Sequence, residues 1–92
     1  MRVSLTFLGA LRAQLGTGSM QVDISEGGTY REVLDAVEQT MRTRLETSSW
    51  DTERRSFSRR MMVLLNGTSE LREDTVLAEG DELVVVLPLA GG

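Results

Sequence analysis

The chain has 92 residues, the size of one domain built round a single core, and its 40% hydrophobic and 26% charged content is that of an ordinary globular protein. It has no cysteine and no histidine, which removes disulfides, thiol nucleophiles, the usual zinc ligands and the commonest general base, so a self-contained enzyme and a resident metal are not expected. A formal charge of -4 argues against nucleic acid as a partner, and the absence of a long apolar run or a signal-peptide pattern argues against a membrane, leaving a cytoplasmic protein as the expectation.

From Arg2 to Leu8, Val3, Leu5 and Phe7 alternate with Ser4 and Thr6, the period-two pattern of a half-buried strand. Ala10 to Leu15 is rich in helix formers and stops at Gly16-Thr17-Gly18, which predicts a helical turn or a wide loop. Met20, Val22 and Ile24 alternate with polar residues and predict a second strand, paired antiparallel with the first. After Gly27-Gly28, Thr29 and Glu32 have capping-box spacing. Tyr30, Val33, Leu34, Val37, Met41 and Leu45 then recur at helical intervals, so the main helix is expected over this stretch with its apolar stripe as core.

Residues 47–60 turn polar around Trp50 and Phe57 and carry the basic cluster Arg54, Arg55, Arg59 and Arg60. Their lack of a period predicts a long, mobile loop pinned by the aromatics, with fast hydrogen exchange. Met61 to Leu65 is continuously apolar and reads as a central strand, ended by Asn66-Gly67, a turn signal that opens another strand pair. A short strand at Val76-Leu77, a turn at Glu79-Gly80-Asp81 and a last, central strand at Leu83 to Leu87 complete the order. The whole is a single α+β domain over residues 1–92, one principal helix across a mixed sheet, with residues 88–92 as a free C-terminal Gly-Gly tail.

Asn66-Gly67 after an apolar strand, then Asp74-Thr75-Val76-Leu77, Gly80-Asp81-Glu82-Leu83 and Leu87-Pro88-Leu89-Ala90-Gly91-Gly92, resemble the β-grasp sulfur-carrier family typified by the small subunit of molybdopterin synthase (MoaD) and by ThiS. Archaeal small modifier proteins, which are ubiquitin-like, look similar. The resemblance is specific in the C-terminal third, while the first hairpin and the helix agree in order and length only. Two features differ from the family pattern: Leu87 or Leu89 stands where a second proline is common, and the segment 47–60 is longer than in the shortest members.

The resemblance implies that Gly92, threaded with Gly91, is adenylated by an E1-like enzyme using ATP and magnesium. A sulfur donor or an acceptor nucleophile then attacks the mixed anhydride. Activation is needed because a C-terminal carboxylate, with a pKa near 3.3–3.7, is an anion and a poor electrophile at neutral pH. Glycines, lacking Cβ, suit a narrow channel, and Leu87, Pro88, Leu89 and Ala90 are the expected partner-binding stretch. Three functions are thereby in view. The first is a sulfur carrier whose thiocarboxylate serves an acceptor such as a molybdopterin synthase large subunit. The second is a modifier conjugated to lysines of target proteins, and the third a non-catalytic β-grasp interaction domain. All ten basic residues are arginine, so with neither lysine nor cysteine an activated Gly92 has almost no internal nucleophile to react with. Met62, Leu64, Val84, Val86 and Leu87 are candidates for the docking surface by apolarity, but a one-residue register slip reverses such assignments, so the sequence leaves open which of them point outward.

Overall fold

In a computed structural model, which describes residues 1–68 and 70–88, the alternating N-terminal segments pair as expected. Strand β1 (Arg2–Phe7) buries Val3, Leu5 and Phe7 completely. Strand β2 (Ser19–Asp23) runs antiparallel to it with Leu5 opposite Met20 and Val3 opposite Val22, which puts the apolar sets of both strands on one face. Between them, helix α1 (Ala10–Leu15) buries Leu11 and Leu15 and stops at Gly16, whose φ of 73° lets its N–H turn back to the Arg12 carbonyl at 3.0 Å.

Helix α2 (Tyr30–Met41) lays Tyr30, Val33, Leu34, Val37 and Met41 into the core. The capping box read from Thr29 and Glu32 is not formed. Thr29 makes no side-chain cap, and the Glu32 carboxylate accepts instead from the Ser25 N–H at 3.1 Å and hydroxyl at 2.7 Å. The first helical amides are met by main chain from far along the sequence, Tyr30 N–H to the Thr75 carbonyl at 3.0 Å and Arg31 N–H to the Glu73 carbonyl at 2.9 Å. The helix also ends a turn before Leu45. The Arg44 and Leu45 amides both bond to the Met41 carbonyl, while the Arg44 guanidinium is drawn to the Leu15 carbonyl at 3.0 Å and the Glu46 amide to the Gln14 side chain at 3.3 Å. Leu45 still packs on the core, so the apolar period outlasts the helix.

The segment 47–60 is not a structureless loop. It contains strands β3 (Trp50–Asp51) and β4 (Ser56–Phe57), an antiparallel pair that buries both aromatics edge to face, ring centres 5.1 Å apart at 83°.

Strands β5 (Met62–Leu65) and β6 (Glu82–Val86) complete a four-stranded sheet of order β2-β1-β6-β5, in which β6 is parallel to β1 and antiparallel to β5. The last strand is central, as its apolar run suggests, whereas β5 is an edge strand and not a central one. Val76-Leu77 forms only an isolated bridge, Val76 to Thr29, and no strand. Asn66-Gly67 does make the tight turn, with φ of 48° and 89°, closed by mutual main-chain bonds between Leu65 and Thr68. Its pairing stops at that bridge, and β5 takes its ladder from β6 instead, because Asn66 is tied there: its side chain accepts from the Glu82 N–H at 2.9 Å and donates to Asp81 at 3.0 Å. The result is the β-grasp architecture, one main helix gripped across a mixed sheet. Among the described residues, no helix is long and apolar enough to cross a membrane.

Candidate functional site

Strand β6 runs toward the C-terminal residues singled out in the sequence. Leu83 and Val85 point into the core with no exposure, held between Leu5 and Phe7 of β1 and Leu65 and Val63 of β5. The strand ends at Val86, Leu87 is half-buried and Pro88 is exposed. Proline has no N–H to give to a ladder, which suits it to the point where strand becomes tail. Leu89, Ala90, Gly91 and Gly92 lie outside the described residues, so Leu87 and Pro88 are the placed part of the sequence-read site.

Because β6 is an inner strand, its C-terminal end is flanked on both sides. Met62 of β5 is directly opposite Val86, and Leu8, whose N–H bonds the Val85 carbonyl at 3.0 Å, follows the last residue of β1 on the other side. Both are exposed, Leu8 at 41% and Met62 at 43%. Leu8 was not among the sequence candidates, though its parity holds the signal: it is out of phase with Val3, Leu5 and Phe7.

The register also settles the sheet face that α2 does not cover. With Leu83 and Val85 inward, Val84 and Val86 face outward, and their partners Leu64 and Met62 face outward beside them. On β1 and β2 the same face carries Ser4, Thr6, Ser19 and Gln21. The open face is therefore apolar on its β5–β6 half and polar on its β1–β2 half, and the apolar half adjoins the tail root.

On the other side of β5 lies a cleft of about 530 Å³ that Pro88 also lines. Its charged lining is Arg54, Arg59, Arg60, Arg72 and Glu73, and its apolar lining includes Tyr30, Phe57 and Leu71. The sequence cluster of four arginines is thus divided by the fold. Arg55, held at a φ of 53°, turns away to pair with Asp35 and Glu38 of α2, each at 3.0 Å. Arg72, distant in sequence, takes its place at the cleft.

Arg31 fastens this region. Its guanidinium pairs with Asp35 at 3.0 Å and Glu73 at 2.9 Å and donates to the carbonyls of Arg54 and Arg55, tying α2, the 73–75 segment and the β3–β4 hairpin together. The hydrogen bond from Arg55, aided by one from the Trp50 ring N–H, holds the Glu38 carboxyl below the usual range. Burial pushes the Tyr30 phenol well above its ordinary value, so it is neutral wherever the protein works. Among the described residues, no group of three or more carboxylates is placed to hold a metal ion.

The ThiS family model matches residues 5–92. No curated protein matches the chain at a significant level. Among solved structures, SAMP1 from Haloferax volcanii superposes with a TM-score of 0.84 at 24% identity, covering 100% of both chains. The putative molybdopterin converting factor subunit 1 from Pyrococcus furiosus gives 0.73 at 17% identity over 97% of this chain and 99% of that one. Urm1 from Trypanosoma brucei gives 0.69 at 19%, covering 99% and 95%. These structural likenesses establish the fold, and the family match spans nearly the whole sequence. The chain belongs to the ThiS family, with a ubiquitin-like β-grasp fold.

Proposed function

We propose that this protein is a sulfur carrier whose Gly92 carboxylate is adenylated by an E1-like enzyme and converted to a thiocarboxylate that donates sulfur. The observation that carries the reading is the family match running through residue 92, on a fold whose central strand leads directly into that Gly-Gly tail. In the first step a carboxylate oxygen attacks the α-phosphorus of ATP and pyrophosphate leaves, with the partner's magnesium neutralising the phosphates. In the second, hydrosulfide, or the outer sulfur of a donor persulfide whose S–S bond a thiol then cleaves, attacks the activated carbonyl and AMP leaves. The carrier's own part is to dock and to reach. Leu89 to Gly92, fully extended, span at most about 13–14 Å, enough to enter a buried site while the domain stays outside. Met62, Leu64, Val84 and Val86, beside the root, supply an apolar surface on which the activating enzyme and later the acceptor, such as a molybdopterin synthase large subunit, would seat.

Pyrophosphate exchange with the cognate E1-like enzyme, ATP and magnesium tests this directly. Wild type should support exchange, and a chain lacking Gly92 should not, with its melting temperature nearly unchanged because a terminal residue contributes little to stability. Equal exchange from both would overturn the tail mechanism.

A modifier conjugated through Gly92 to lysines of other proteins is the second reading, favoured by the full-length superposition on SAMP1, a small archaeal modifier protein. The two share activation and differ in the final nucleophile. Lacking lysine, this chain offers no side-chain amine for branching, so a modifier would form single attachments or linear fusions through Met1. Intact mass of protein from its own host separates them: a small species with sulfur in place of one oxygen for the carrier, and denaturant-stable adducts with Gly-Gly remnants on foreign lysines for the modifier.

A further inference from the structure

The cleft between β5 and the β3–β4 hairpin has a charge that the rest of the chain does not explain. The protein is acidic overall at -4, yet four arginines and one glutamate line this cavity, and Glu73 is already engaged by Arg31 at 2.9 Å. Arg54 reaches Asp51 only at 3.7 Å, and none of the ion pairs among the described residues involves Arg59, Arg60 or Arg72, all of which are exposed. Like charges gathered with too few counter-charges repel one another, and an anionic occupant relieves that repulsion. The fold does the gathering: Arg31 and Arg55 fasten the hairpin to α2, which presents Arg54, Arg59 and Arg60 toward Arg72.

The lining also identifies the kind of anion. Met61 and Leu71, both half-buried, give the cleft apolar surface between the guanidiniums, so the matching ligand has an apolar side chain between acidic ones. Single-stranded nucleic acid fits poorly, since stacking needs accessible rings and Trp50, Phe57 and Tyr30 are all buried. Strand addition along β5 is restricted too, because the Met61 and Leu65 main-chain N–H groups are taken by the Ser58 and Thr68 carbonyls. Recognition must come mainly from side chains. We propose that this arginine-lined cleft, which adjoins the apolar sheet face at Met62, is a docking site for an acidic, apolar-centred segment of a protein partner, independent of the tail's chemistry.

The test is a ¹⁵N NMR titration of the full chain with a synthetic peptide in which Ile-Val is flanked on both sides by aspartates and glutamates. Amides of Phe57, Met61 and Leu71 should shift, binding should weaken as salt is raised, and an Asn/Gln version of the peptide should not bind. Reversing charge in Arg59→Glu/Arg72→Glu should weaken the peptide about tenfold, while Arg12→Glu, away from the cleft, should not. Trp50 fluorescence confirms that the variants are folded, and the milder Arg59→Gln should give an intermediate loss. No shift at millimolar peptide, equal binding of the uncharged peptide, or tighter binding of oligouridylate at the same residues would each overturn the assignment. Because the titration does not use the tail, a chain lacking Gly91 and Gly92 should bind the peptide equally well, so failure here leaves the carrier reading untouched.

Discussion

At the scale of single residues, two small side chains decide more than their size suggests. A Cβ added at Gly28 would stand 2.5 Å from the Glu32 carboxylate and 2.7 Å from the Ser25 carbonyl. Neither moves freely, since Glu32 is bonded to Ser25 and the Gly28 main chain is bonded on both sides, to the Ser25 carbonyl and the Leu77 N–H. Gly28→Ala should therefore cost about 1–3 kcal/mol in urea unfolding, as overpacking does. Asn66 combines a backbone role with a side-chain one: a positive φ, and two bonds that tie the end of β5 to the start of β6. Asn66→Ala should lose about 1–2 kcal/mol, whereas Asn66→Gly, which keeps the backbone freedom, should lose less. Equal losses would mean that the side-chain bonds carry the whole effect.

At the scale of elements, the β3–β4 hairpin is held by α2 rather than by its own ladder, which has only two residues in each strand. Trp50 and Phe57 anchor it from below, while Glu38 takes hydrogen bonds from both Trp50 and Arg55. Glu38 is depressed in the folded state, so its contribution is present above its unfolded pKa, about 4.3, and is lost as pH falls through the lower folded value. Trp50 fluorescence should change below about pH 4, ahead of the loss of helical circular dichroism. Glu38→Gln should shrink that acid step. An undiminished step would reassign it to Asp51, whose carboxyl is also lowered, chiefly by the Arg54 amide. The same anchoring changes the expectation for hydrogen exchange: the Trp50 and Ser58 amides, bonded to the Glu46 and Ser49 carbonyls, should be protected, and that of Thr52 in the exposed turn should not.

At the scale of the whole molecule, β6 separates stability from recognition along one strand. Leu83 and Val85 are fully buried against the helix layer, and Val84 and Val86 alternate with them on the open face. Leu83→Ala should destabilise the protein by about 2–5 kcal/mol. Met62→Glu, on the open face opposite Val86, should change stability by no more than about 0.5 kcal/mol yet lower the rate of pyrophosphate exchange roughly tenfold. Wild-type exchange by Met62→Glu would remove the sheet face from the docking surface, and the tail alone would then have to carry recognition.

The sequence by itself determined the strands whose residues alternate and the helix whose apolar residues recur at its own period, because these patterns reflect local geometry that each segment imposes wherever it sits. Tertiary structure decided whatever depended on a distant partner. A run such as Met61 to Leu65 is equally apolar on an edge or in the centre, and only its pairing with β6 on one side shows that it is an edge. The start of α2 reads as a capping box, but the carbonyls of Glu73 and Thr75 reach its amides first. Residues 47–60 look featureless because two-residue strands are too short to show a period, and they are ordered by contacts with α2. Outward and inward residues of β6 differ by one step of register, which the β1 and β5 ladders supply. The arginine cleft follows the same logic: Arg72 is brought to Arg59 and Arg60 only when the chain closes on itself, so no spacing along the sequence records the site.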